Sequence, residues 1–232
     1  MTNLPDFIVT VANESHLGYA QTICDEMEAS AKARGTGIAK RKPEYIALKM
    51  QEGKAVIALH PNGKWAGFCY IETWGHGKYV ANSGLIVSPE LRKSGLARQI
   101  KQKIFELSRT KYPDAKIFGL TTALAVMKIN SGLGYKPVTY SELTDDESFW
   151  KGCESCVNFE ILQSKGRSNC LCTAMLFDPA QEQNFIPLPV VGQKPASKPA
   201  SLQERWVRYR QRLAIQPVQL PNQDKDENKQ AC

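Results

Sequence analysis

Residues 83–97 read SGLIVSPELRKSGLA. An apolar run (Leu85, Ile86, Val87) stops at Pro89, a polar loop carries Arg92, Lys93 and Ser94, and Gly95 opens a stretch in which Leu96, Ile100, Ile104 and Leu107 recur at helical spacing. The stretch is a strand, a loop and an amphipathic helix in succession. Such a junction leaves the first N–H groups of the helix without partners and puts the positive end of the helix dipole behind them. That is what holding a pyrophosphate requires, and Arg92 adds a fixed positive charge. The junction alone does not decide the matter, because many strand–loop–helix joins carry Gly and Arg and bind nothing.

Upstream, residues 7–13 (FIVTVAN) predict a short strand, and Leu17, Ala20, Cys24, Met27 and Ala31 predict an amphipathic helix over 15–33. Residues 34–42 (RGTGIAKRK) form a basic, glycine-broken loop, and Pro43 suits the first turn of a second helix running to Glu52. KAVIALH (54–60), the Asn62-Gly63 turn and KWAGFCYIET (64–73) make a hairpin, and a strand over 78–87 follows the loop Trp74-Gly75-His76-Gly77. Downstream, Pro113 ends the long helix, AKIFGLTT (115–122) is a strand, 123–132 a short helix, and a further strand starts at Tyr135. The predicted order, β-α-α-β-β-β-α-β-α-β, describes an α+β fold around a mixed, mostly antiparallel sheet flanked by helices. This domain spans 1–179 and includes a Cys-rich segment at 150–175. Beyond it we expect a Pro-rich linker (180–200), an amphipathic helix opened by the capping pattern Ser201-Leu202-Gln203-Glu204 (201–216), and a disordered tail (217–232).

The 232 residues are 42% hydrophobic and 23% charged, within the globular range. No apolar run approaches the ~20 residues of a membrane helix, and the start MTNLPDFIVTVA lacks the pattern of an export signal. A cytoplasmic protein without a membrane span is expected. The net charge of +7 is spread, with 22 Lys and Arg against 18 Asp and Glu in 1–179 and 8 against 5 in 180–232. Neither part has the basic run that follows a phosphate backbone, so no nucleic-acid partner is expected. Seven cysteines, an odd number, do not describe a disulfide framework.

The pattern Val87-x-Pro89-x-x-Arg92-x-x-Gly95-Leu96-Ala97 resembles the coenzyme A loop of the GNAT acyltransferases, and the order of elements over 7–140 matches that fold. The resemblance implies that acyl-CoA lays its pyrophosphate on the amides of Arg92, Lys93, Ser94, Gly95, Leu96 and Ala97. Backbone groups of Leu85, Ile86 and Val87 would then face the acyl carbonyl and the pantetheine arm. Phe118-Gly119-Leu120-Thr121-Thr122, followed by Gly134-Tyr135-Lys136-Pro137-Val138, is similar to the acetyltransferase domain of N-acetylglutamate synthases. That similarity implies a small acidic amino acid, glutamate above all, as amine acceptor, and a place in amino-acid biosynthesis. Acetyl-CoA is the default donor, and a larger acyl group such as succinyl stays open. One position departs from the family. Many members have a Tyr five residues before the aromatic of the Gly-aromatic pair, where it protonates the departing thiolate; here Asn130 stands there and can at most hydrogen-bond the sulfur.

The implied mechanism is direct attack of a neutral amine on the thioester, which needs placement, oxyanion stabilisation and a route for one proton. Glu72, on the strand facing the cofactor strand, is the first candidate base, and His76 in the next loop the second. Arg34, Lys40, Arg41 and Lys78 are cations available to an acceptor carboxylate; for each, a solvated side chain is the plain alternative. Cys153-x2-Cys156 and Cys170-x-Cys172 suit a structural zinc ion, against reduced, partly buried cysteines or two redox-labile pairs. Rival functions are acylation of a protein lysine, a noncatalytic acyl-CoA-binding regulator because of Asn130, and a zinc-ribbon and basic-tail module binding nucleic acid, for which the aromatic and basic stripe is lacking. The helix around Trp206 packs back on the domain, joins a partner subunit as in a homo-oligomer, or contacts a membrane surface.

Overall fold

The computed structural model describes residues 7–35 and 40–184. The middle of the basic loop (36–39), the linker beyond 184, the helix expected at 201–216 and the tail at 217–232 lie outside the described residues. Seven strands form one sheet: β1 (Ile8–Val11), β2 (Ala55–Leu59), β3 (Trp65–Trp74), β4 (Tyr79–Val87), β5 (Lys116–Thr121), β6 (Lys136–Val138) and β7 (Thr173–Phe177). Their order is β1-β2-β3-β4-β5-β7-β6. Every neighbouring pair is antiparallel except β4 and β5, which run parallel. The helices are α1 (Ala20–Arg34), α2 (Pro43–Gln51), α3 (Leu96–Lys111), α4 (Leu124–Gly132) and the short α5 (Glu147–Lys151) and α6 (Phe159–Ser164).

Because strand side chains alternate, each strand feeds two cores. On one face, Phe68 and Tyr70 of β3 and Ile57 of β2 pack against Ile23 and Met27 of α1 and Ile46 and Met50 of α2. Ala81, Phe118, Ala174 and Leu176 continue this face across β4, β5 and β7. They are covered by Tyr140, Phe149, Trp150 and Leu162 from the segment between β6 and β7. On the opposite face, Val56, Cys69, Ile71, Val80 and Ile117 pack on Leu96, Ile100 and Ile104, the stripe the sequence predicts for α3.

Two features differ from the expected order. Residues Glu14–Tyr19 form a 3-10 turn and the α-helix starts only at Ala20. Asn13 Oδ1 accepts from the Ser15 amide (3.0 Å) while His16 Nδ1 accepts from the Asn13 amide (3.1 Å), and this local box tightens the first turn. The larger difference is β7, a strand that the expected order lacks. It pairs with β5 on one side and β6 on the other. Its TAMLF run is buried on both faces and shows no alternation to mark it as a strand.

Candidate active site

The parallel pairing of β4 with β5 lasts only from Tyr79–Ala81 opposite Lys116–Phe118. Beyond it β5 stays with β7 through Thr121, so from Asn82 onward the edge of β4 parts from β5 and a wedge opens between them. A bulge in β4 helps turn it away. The register with β3 shifts between Phe68 and Tyr70, and Gly84 sits there at φ +63°. A Cβ on Gly84 would come within 2.5 Å of Tyr70 Cε1 and 2.7 Å of Met27 Cε, so the bulge requires glycine.

At the wide end of the wedge, Val87 leads into the loop. Arg92 is extended, Lys93 (φ +67°) and Gly95 (φ +87°) are left-handed, and this alternation turns successive amides into one concavity. Among the described residues, the amides of Lys93, Ser94, Gly95 and Ala97 donate to no backbone carbonyl. Those of Arg92 and Leu96 make contacts of only 3.4 Å, to Pro89 O and Ser94 Oγ. The N-terminus of α3 stands behind them, so the loop presents backbone donors together with the positive end of a helix dipole. The Arg92 side chain turns away from the role foreseen for it. Its Nη2 lies 3.0 Å from Glu26 Oε1 and contacts Ser30 Oγ, both on α1. Arg92 therefore braces the loop against α1, and Glu26 balances its charge.

Glu72 lies on the α1–α2 face of β3, two residues from Tyr70. Its Oε1 accepts from Tyr45 OH at 2.7 Å and pairs with Arg41 Nη2 at 3.4 Å, while Arg41 Nε donates to Tyr70 OH at 2.7 Å. The Arg41 and Glu72 side chains are only 20% and 11% exposed. Burial alone would lower the Arg41 guanidinium, but Tyr70 and Glu72 beside it raise it overall. Burial, reinforced by the Glu72 charge, pushes both Tyr45 and Tyr70 well above the ordinary phenol range.

The structure thus brings together two residues named from sequence, Glu72 and Arg41, and adds Tyr45 and Tyr70. The others stand apart. Lys40 is exposed and pairs with Glu28 at 3.5 Å. Arg34, near the end of α1, is lowered by partial burial and then by the nearby Arg92. Lys78 is exposed just before β4. His76 is exposed and left-handed (φ 56°) at the tip of the β3–β4 hairpin, at the opposite end of β4 from the amide loop.

On the α3 face, at the narrow end of the wedge, lies a buried polar group of residues that the sequence reading did not single out. Asn82 Oδ1 accepts from Lys101 Nζ (3.2 Å) and Tyr135 OH (3.0 Å), and Asn82 Nδ2 donates to Ser108 Oγ (2.8 Å). Lys101 is 2% exposed, and burial lowers its ammonium to about 8. It lies with Ile104 and Ser108 on one side of α3, and a lysine on an apolar helix face is the signal that could have found it. Asn130 borders this group: its backbone O accepts from the Tyr135 amide (3.1 Å) and its side chain is 1% exposed. Its Nδ2 lies 3.7 Å from Met175 Sδ, and its buried Oδ1 has no partner among the described residues. Cys153 and Cys156 follow α5, and Cys170 and Cys172 precede β7. Among the described residues, no set of three or more His, Cys, Asp or Glu side chains is arranged as a ready metal site, and no helix is long and apolar enough to cross a membrane.

A sheet of order 1-2-3-4-5-7-6, parted between β4 and β5, with an amide-lined loop joining β4 to α3, defines the GNAT acetyltransferase fold. Solved structures bear this out. N-acetylglutamate synthase from Neisseria gonorrhoeae, complexed with coenzyme A and N-acetyl-glutamate, matches with a TM-score of 0.53 at 15% identity, over 75% of this chain and 35% of that one. A Mycobacterium tuberculosis protein in complex with CoA matches with a TM-score of 0.53 at 17% identity, over 74% of this chain and 98% of that one. A GNAT acetyltransferase from Staphylococcus aureus matches at 0.53 and 11% identity, over 75% and 99%. The chain thus spans about a third of the gonococcal synthase and nearly the whole of the other two. No family model matches the sequence, and no curated protein does.

Proposed function

We propose that this protein is an acyl-CoA-dependent N-acyltransferase that acetylates the amine of a small acidic amino acid, with glutamate the first to try. The observation that carries the reading is the wedge between β4 and β5, ending in the loop at the start of α3 where the amides of Lys93, Ser94, Gly95 and Ala97 donate to no backbone carbonyl. The amides and helix dipole bind the pyrophosphate, and the pantetheine arm lies along the free edge of β4. The Leu85–Val87 backbone faces the thioester, which passes through the wedge to the α1–α2 face. There the acceptor meets Glu72, which takes the proton from the amine, and Arg41, which binds the acceptor carboxylate in exchange for Glu72. The thiolate leaves without a tyrosine acid at position 130, where Asn130 stands buried with its Nδ2 3.7 Å from Met175 Sδ. Lys40, Arg34, Lys78 and His76 have no part in this arrangement.

The test is thiol release from acetyl-CoA and succinyl-CoA with each of the twenty amino acids and a lysine-rich peptide. Turnover with glutamate supports the proposal, and turnover with the peptide alone moves the acceptor to proteins. Bound CoA with no turnover of any amine favours the noncatalytic regulator, in keeping with Asn130 in place of a tyrosine.

A further inference from the structure

The segment between β6 and β7 packs on the same face of the sheet as Glu72 and reaches the segment that carries Arg41. The Lys40 amide donates to Ser155 Oγ at 3.3 Å, and Ser155 lies between Cys153 and Cys156. We infer that Cys153, Cys156, Cys170 and Cys172 bind one zinc ion as a tetrathiolate, and that this ion fixes the β6–β7 segment as a wall of the acceptor cleft.

The first pair sits in a compact turn, with the Cys156 amide donating to Cys153 O at 2.9 Å. Two residues on, the Asn158 amide donates to Cys156 Sγ at 3.5 Å, a contact that orients the sulfur. The same residue ties in the second pair, because Cys170 Sγ lies 3.8 Å from Asn158 O. Cys170 and Cys172 both pack against the core while Leu171 between them is 61% exposed, so the two sulfurs share one side of the chain. Tyr140 OH donates to Cys172 O at 2.8 Å and holds this end to the sheet.

Uncharged thiols have no reason to approach the tetrahedral spacing of about 3.7 Å between sulfurs that a Zn–S bond near 2.3 Å imposes. Zinc closes the set by displacing the thiol protons. Soft thiolates in this number select zinc or iron, and with all four positions filled by protein the ion would be structural.

The experiment uses the full chain purified under reducing conditions, with zinc and iron measured per chain and with cobalt(II) exchanged for the native ion. One zinc per chain, and the intense sulfur-to-cobalt absorption of a tetrahedral thiolate site, support the inference. Cys156→Ser and Cys172→Ser should lose the metal while Cys24→Ser keeps it. If the serine variants fail to fold, wild-type stoichiometry and the cobalt spectrum still decide. Iron in place of zinc, disulfides by mass, or four thiols that react freely with a thiol reagent while the chain remains folded would each overturn it. The acceptor-wall part rests on the acyltransferase reading, and CoA affinity keeps the two apart. Removing zinc should raise the acceptor KM and leave CoA affinity unchanged, whereas a wild-type chain that never binds CoA refutes the acyltransferase reading and leaves the metal result standing.

Discussion

Arg41 Nη2 lies 3.4 Å from Glu72 Oε1, and Tyr45 OH donates to that same oxygen at 2.7 Å, so both contacts fall on one oxygen of the carboxylate. Arg41 comes from the basic loop before α2 and Glu72 from β3, 31 residues later. Their meeting fixes the Glu72 side chain over the strand face that the thioester reaches in the proposed mechanism. If Glu72 is the base, Glu72→Gln keeps its volume and lowers kcat by a factor of about 10²–10⁴, with CoA affinity unchanged. A kcat within twofold of wild type would reduce Glu72 to a partner of Arg41.

Arg41 offers the acceptor a carboxylate partner. A hydrogen bond to a charged group contributes about 1.5–3 kcal/mol. Arg41→Met should therefore lower kcat/KM for an acidic amino acid by roughly 10- to 100-fold and change little for a neutral amine. Equal losses on both acceptors would point instead to Glu72 left without its cation.

Gly84→Ala tests the bulge that parts β4 from β5. The left-handed φ of +63° costs a non-glycine residue about 1–2 kcal/mol, and the approach to Tyr70 and Met27 adds about 1–3 kcal/mol of overpacking. Thermal unfolding should shift down clearly. Gly18→Ala, with open space around its Cβ and no positive φ, should shift little. Similar shifts for the two would mean that the bulge relaxes at no cost.

Lys101 gives a pH signature. Burial lowers its ammonium from 10.5 to about 8 in the folded protein. Below pH 8 the folded state carries a buried charge. Between pH 8 and 10.5 the unfolded chain holds a proton that the folded state has released, so this group's effect on stability becomes more favourable with rising pH, by about 3 kcal/mol in all. Lys101→Met removes the effect. The variant's stability advantage at pH 7, read by denaturant unfolding, should shrink steadily through that window, and an advantage constant with pH would contradict the assignment.

How much of this could be read in the sequence depended on whether the information was local. The turn at Asn62-Gly63, Pro43 at the head of α2 and the strand–loop–helix around Pro89 and Gly95 are fixed by neighbours in the chain, and the structure has each of them. TAMLF at 173–177 has no local mark, because its place between β5 and β6 follows from pairing on both sides. The same holds at the site. Glu72 and Arg41 were legible as charges near the right elements, but their contact, and the parts of Tyr45 and Tyr70, come from strand alternation meeting a helix far off in sequence. Arg92 was legible as a cation in the loop, yet Glu26 and Ser30 on α1 claim its side chain.

The measurement that bears most directly on the central claim is calorimetric titration of the full chain with acetyl-CoA, and with acetyl-pantetheine, which lacks the pyrophosphate. Because the amides from Lys93 to Ala97 carry the anion, acetyl-CoA should bind far more tightly than acetyl-pantetheine. Gly95→Val, which puts a branched side chain at φ +87°, should abolish most of that difference. No binding of acetyl-CoA, or equal affinity for the two ligands, would contradict the account.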